Sequence, residues 1–187
     1  MMNDLQTKDE SPTSLPSDFV ADVLQVCIVT RDYRRAIAGF LKLGIGPWRV
    51  YTFGPDTVSS MTYRGQASPH VMKICLATTG NMEWEIVQPV VGPTIYHDFL
   101  EKHDEGVHHV AIKCLNLTWA EKVARLEEQG FRVIQSGSWL GKMHYAYFET
   151  ESSTGTTFEI WDEPVGFVMP EPEELWPNPS AAITEAK

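Results

Sequence analysis

Four polar residues stand at matched points of short apolar runs: Gln25 in LQVCIVTRD, Glu85 in EWEIVQP, His109 in GVHHVAIKC and Glu159 in TTFEIWDEP. Strand side chains alternate between faces. Gln25, Glu85, His109 and Glu159 therefore share one side, and Leu24, Val26, Trp84, Ile86, Val110, Phe158 and Ile160 share the other. The second side suits a sheet face covered by helices. Burying two carboxylates, an imidazole and an amide without partners would cost roughly 1–3 kcal/mol per group, and more for a charge. A shared divalent cation removes that cost, because oxygen and nitrogen donors then converge on one positive centre. Ordinary hydrogen bonds at the mouth of a cleft are the other explanation.

The spacing of the four residues exposes a duplication. Gln25 and His109 lie 84 positions apart and Glu85 and Glu159 lie 74 apart, so one supersecondary unit is used twice. In each copy a strand leads to a helix and then three strands. Asp32 is the expected N-cap of the first helix and Gly44 its terminator, and Thr118 to Glu121 has the capping-box pattern for the second. Strands are expected near 23–30, 48–53, 71–78, 82–88, 107–114, 131–139, 143–149 and 156–162. A short helix is expected over 95–102, a loop or mobile hairpin over 54–69, and a turn at Asn116. The reading is an α+β fold of two tandem βαβββ modules forming a cupped mixed sheet. Residues 1–21 form a flexible lead-in, residues 22–163 a single domain and residues 164–187 a tail rich in proline and acids. Within the domain the modules are 22–89 and 107–163, joined by a linker over 90–106. Phe167 and Trp176 suggest that part of the tail docks.

Composition narrows the function. The net charge of −10 sits mainly in the ends: residues 1–22 carry five acids and one lysine, and residues 162–187 carry six acids and one lysine. The near-neutral body argues against a nucleic-acid partner. Cys27, Cys75 and Cys114 lie in strand-like apolar runs with no paired spacing, as reduced core thiols of a cytoplasmic protein do. No apolar run reaches membrane-spanning length, and the first residues lack the pattern of a secretory leader. His108 falls on the apolar face and is expected to be a satisfied or edge histidine.

The paired units, carried by LQVCIVTRD, EWEIVQP, GVHHVAIKC and TTFEIWDEP, resemble the vicinal oxygen chelate superfamily over residues 23–163. That superfamily includes glyoxalase I, methylmalonyl-CoA epimerase, extradiol dioxygenases and bleomycin-resistance proteins. The resemblance implies a cup holding one divalent metal ion (Zn, Ni, Co, Mn or Fe) on Gln25, Glu85, His109 and Glu159. It also implies proton abstraction beside a carbonyl, with Glu159 and Glu85 as the acid/base pair, in an isomerase or lyase similar to glyoxalase I or methylmalonyl-CoA epimerase. An oxygenase or natural-product tailoring enzyme, and a metal-free small-molecule binding protein, are the alternatives. Gln25 stands where an extradiol dioxygenase needs a histidine, which weighs against that chemistry. Trp48, Tyr51, Arg64, Lys142, Met143 and Tyr145 are the expected substrate contacts. The partner is a small-molecule substrate, and a homodimer is implied by the family.

Overall fold

The computed structural model describes residues 14–114 and 117–178. In chain order these form β1 (Val20–Val29), α1 (Tyr33–Lys42), β2 (Trp48–Phe53), β3 (Val58–Tyr63), β4 (Gln66–Ala67), β5 (Val71–Thr79) and β6 (Met82–Val91). Helix α2 (Ile95–His103) then leads to β7 (Gly106–Cys114), α3 (Trp119–Glu128), β8 (Val133–Trp139) and β9 (Met143–Phe148). A single turn, α4 (Glu151–Thr154), precedes β10 (Thr157–Asp162) and β11 (Glu174–Trp176).

The helix ends follow from local chemistry. The Asp32 side chain accepts from the Arg35 N–H at 3.1 Å, and the chain leaves α1 through Gly44 at φ 78°. Thr118 and Glu121 form a reciprocal capping box on α3. Each such cap stabilises its helix by ~1 kcal/mol.

All strands form one mixed sheet in the order β11-β2-β5-β6-β1-β7-β10-β9-β8-β3-β4. Each module places its first strand parallel to its last, β1 beside β6 and β7 beside β10, and antiparallel β1 and β7 join the modules. The β1–β7 ladder carries three register shifts. Bulges of this kind bend and twist a strand, and here they fall at the centre of the sheet.

Alternation then divides the core. Ile37 of α1 packs with Trp48, Val50 and Ile86 on one outer face, and Leu126 of α3 packs with Ile112, Phe148 and Ile160 on the other. The inner face carries Cys27, Phe53, Met72, Trp139, Tyr145 and Tyr147. The four strands bearing the polar residues are adjacent and central, so the fold itself brings those residues together.

Two expectations need revision. Strand β1 starts at Val20 with Phe19 already buried, inside the expected lead-in. Residues 54–69 hold β3 and β4, with β3 paired to β8. The polar Ser59, Ser60 and Thr62 dilute the alternation of β3, and Ser60 at φ 54° interrupts it. The tail docks in part, as Phe167 and Trp176 suggested: Phe167 packs on the inner core, and Trp176 lies in β11, paired to β2. The remainder of the lead-in at 1–13, the tail end at 179–187 and the turn at Asn116 lie outside the described residues.

Candidate metal centre

The centre is built on the order β6-β1-β7-β10. Register sets Cys27 opposite both Glu85 and His109, and Ala111 opposite Glu159. His109 Nε2 lies 3.0 Å from Glu85 Oε2 and 3.2 Å from Glu159 Oε2. His109 is fully buried, and Glu159, Gln25 and Glu85 are only 4, 5 and 6 % exposed. Beyond these ion-pair contacts, His109 Nε2, Glu85 Oε2 and Glu159 Oε2 have no hydrogen-bond partner. One imidazole nitrogen and two carboxylate oxygens thus converge in a buried site, a donor set that suits a divalent ion once the imidazole proton is displaced.

Gln25 sits at the edge of this cluster. Its Nε2 donates to Glu83 Oε1 at 3.0 Å, and Glu83 Oε2 accepts from Arg49 at 3.2 Å. The carboxamide is thereby held through its nitrogen, and its oxygen stays outside that bond. Cys27, read from sequence as a core thiol, lies two residues along the same face. Ligand atoms of Cys27, Glu85 and His109 all fall within 4.8 Å of one another. The signal for it was present, since Gln25 and Cys27 have the same strand parity.

Electrostatics follow from the crowding. Burial alone would lower the His109 pKa, but Glu159 and Glu85 outweigh it and raise the group to about 9. Burial raises the Glu159 carboxyl, with His109 opposing. Burial, followed by the charge of Glu85, lifts Glu83 to about 7. The Cys27 thiol is pushed well up by burial and then by Glu85. On the other side, His108 Nδ1 meets His109 Nδ1 at 2.9 Å, and burial holds His108 well below the ordinary histidine range. His108 is therefore a direct neighbour of the site rather than an unrelated core histidine.

A cavity of about 310 Å³ opens over the centre, with Gln25, Glu85 and Glu159 in its lining. Of the expected substrate contacts, Met143 and Tyr145 line it, together with Trp139, Tyr147 and Trp161. The Tyr145 hydroxyl is buried without a partner. Tyr51 shares the inner face but is buried behind the wall, its hydroxyl donating to the Pro170 carbonyl at 3.3 Å.

The other three stand elsewhere. Trp48 has the opposite parity to Tyr51 and packs outward on Phe40, with ring centroids 5.3 Å apart. Arg64 borders a separate cavity of about 350 Å³ and pairs with Asp98 at 2.8 Å. Lys142 is exposed in the turn between β8 and β9.

The family described as the Glyoxalase/Bleomycin resistance protein/Dioxygenase superfamily matches residues 24–148. The fold is similar to methylmalonyl-CoA epimerase from Mycobacterium tuberculosis, with a TM-score of 0.59 at 16 % identity, over 82 % of this chain and 95 % of that one. It is also similar to a Streptomyces coelicolor methylmalonyl-CoA epimerase variant in complex with 2-nitronate-propionyl-CoA, with a TM-score of 0.53 at 14 % identity, over 78 % and 99 % of the two chains. No curated protein matches. Among the described residues, no helix is long and apolar enough to cross a membrane.

Proposed function

Because the chain belongs to the Glyoxalase/Bleomycin resistance protein/Dioxygenase superfamily, we propose that it is a metal-dependent isomerase or lyase that moves a proton on the carbon beside a carbonyl of a small metabolite. The observation that carries this reading is the convergence of His109 Nε2, Glu85 Oε2 and Glu159 Oε2, buried and with no partners beyond one another. These three residues, with Gln25 beside them, would hold one divalent ion, and the two carboxylates would balance its charge. Such an ion, when bound, polarises a carbonyl oxygen and makes the adjacent C–H acidic.

The remaining chemistry belongs to the side chains. Glu85 and Glu159 come from β6 and β10, on opposite sides of His109, so they flank the floor of the cavity. One takes the proton from the substrate carbon and the other returns it. The raised pKa of Glu159 makes its carboxylate a stronger base than an ordinary glutamate. The unpartnered Tyr145 hydroxyl lines the same space and can donate to a substrate oxygen as charge develops there. The aromatic walls exclude water from the reacting carbon.

The epimerase activity named for the similar structures supports the reaction class, since an epimerase inverts a carbon by removing and restoring a substituent. Two carboxylates around one imidazole also differ from the two imidazoles and one carboxylate that an iron oxygenase uses. The proposal extends to a homodimer in the cytoplasm, the latter supported by three buried free cysteines. Solvent deuterium entry into 2-oxo acids, hemithioacetals or acyl thioesters, followed by mass spectrometry on zinc-loaded protein, tests it. Deuterium at the carbon beside the carbonyl, abolished by Glu159→Gln, is expected. Oxygen consumption by the iron-loaded protein without deuterium entry would overturn it.

A further inference from the structure

Beyond β10 the chain does not leave the domain but runs back across the open side of the cup. Its far end is fixed by β11 and by Glu173, whose N–H donates to the Val50 carbonyl at 2.9 Å. The Glu173 carboxylate accepts from Thr52 N–H at 2.9 Å, Thr52 Oγ1 at 2.7 Å and Lys73 Nζ at 2.8 Å. Earlier along the strap, the Pro170 carbonyl takes the Tyr51 hydroxyl, and Phe167 meets Trp139 edge-on with ring centroids 5.9 Å apart. Between Phe167 and Pro170 the strap places Met169, and at its start Glu163, in the lining of the cavity over the candidate metal centre.

The wall that results has a definite chemical character. Phe53, Trp139, Tyr145, Trp161, Met143 and Met169 supply aromatic and thioether surface. Among the described residues, Arg49 is the one cation in the lining, and Glu83 already pairs with it at 3.2 Å. Glu163 adds a further acid beside the two carboxylates of the floor. With a divalent ion balancing Glu85 and Glu159, the space favours neutral, polarisable groups and repels phosphates.

We propose that this strap is a specificity element, closing the cup over a neutral aromatic carbonyl compound and excluding substrates that carry a phosphate. The proposal rests on the metal-centred reading above for the carbonyl's position, but not for the aromatic wall.

Calorimetric titration of the full chain with 2-hydroxyacetophenone and, separately, with acetyl-CoA tests it, each with and without zinc. Zinc is titrated alone into the same samples. The parent is expected to bind 2-hydroxyacetophenone more tightly than acetyl-CoA. Met169→Glu should weaken the ketone by about tenfold or more, which corresponds to about 1.4 kcal/mol. Met169→Ala, which keeps the strap neutral, should weaken it about threefold through lost apolar area. Zinc affinity should be unchanged in both variants. Equal ketone affinity in the parent and Met169→Glu would overturn the proposal, as would tighter binding of acetyl-CoA. Absence of zinc binding overturns the metal-centred reading instead, and the titrations without zinc then still decide the role of the strap.

Discussion

His108 and His109 share one contact, Nδ1 to Nδ1 at 2.9 Å, so one of the two nitrogens must carry the proton. Ligation through His109 Nε2 requires the remaining ring proton on His109 Nδ1, with His108 Nδ1 as its acceptor. That tautomer directs His109 Nε2 toward Glu85 and Glu159, where an ion would displace the Nε2 proton. Partners that orient a ligating imidazole in this way are worth about 10–100-fold in metal affinity. His108→Phe should weaken zinc binding by that amount, and His108→Asn, which restores an acceptor, should recover part of it. The ¹⁵N shifts of His109 should show Nδ1–H in the parent and not in His108→Phe. Unchanged affinity and shifts in His108→Phe would refute this role.

Cys27 is close enough to compete as a ligand, and burial and then Glu85 push its thiol pKa well up in the metal-free site. Two carboxylates already neutralise a divalent ion, and a third anion would leave net charge in a buried site. Cobalt-loaded protein should therefore show no thiolate-to-metal charge-transfer absorption, and Cys27→Ser should keep zinc affinity within about threefold, under 1 kcal/mol. A thiolate band lost in Cys27→Ser would place sulfur in the ligand set.

Tyr145 can reach across the cavity wall because the residue opposite it on β8 is Gly137. A Cβ at Gly137 would lie 2.6 Å from Tyr145 Cζ, and the ring is buried with little room to yield. Gly137→Ala should cost about 1–3 kcal/mol in urea unfolding, as overpacking does. It should also lower turnover by moving the Tyr145 hydroxyl. Parent-like stability and activity would show that the ring shifts freely.

His70 is 1 % exposed, its Nδ1 lies 2.8 Å from the Ser68 carbonyl, and its Nε2 has no partner. Burial lowers its pKa below the ordinary value. The unfolded chain then binds the His70 proton more readily, so this residue costs nothing above pH ~6.5 and destabilises the fold as pH falls below it. Between pH 7 and 5.5 the urea midpoint of His70→Gln should therefore shift upward relative to that of the parent. Equal slopes would assign the acid sensitivity to other groups.

That Gln25, Glu85, His109 and Glu159 lie on four adjacent strands was legible because the duplication placed those strands in equivalent roles. The helix boundaries at Asp32, Gly44 and Thr118 were legible from capping chemistry alone. Parity alone also separates Trp48 from Tyr51 and puts Gln25 and Cys27 on one face. Strand β3 was hidden because its pairing with β8 joins distant segments, and Ser59 and Ser60 mask its period. Strand β11 has three residues and follows a proline-rich run, too short for any periodic signal. Its pairing depends on the open edge of β2, which the local sequence does not report.

Metal binding by the buried cluster is the property on which the proposed function depends most directly. Chelator-treated, tag-free protein titrated calorimetrically with zinc, alongside His109→Ala and Glu159→Ala, measures this. One equivalent bound by the parent and lost in both folded variants is the predicted result. No binding by the parent, or equal binding by both variants, would contradict it.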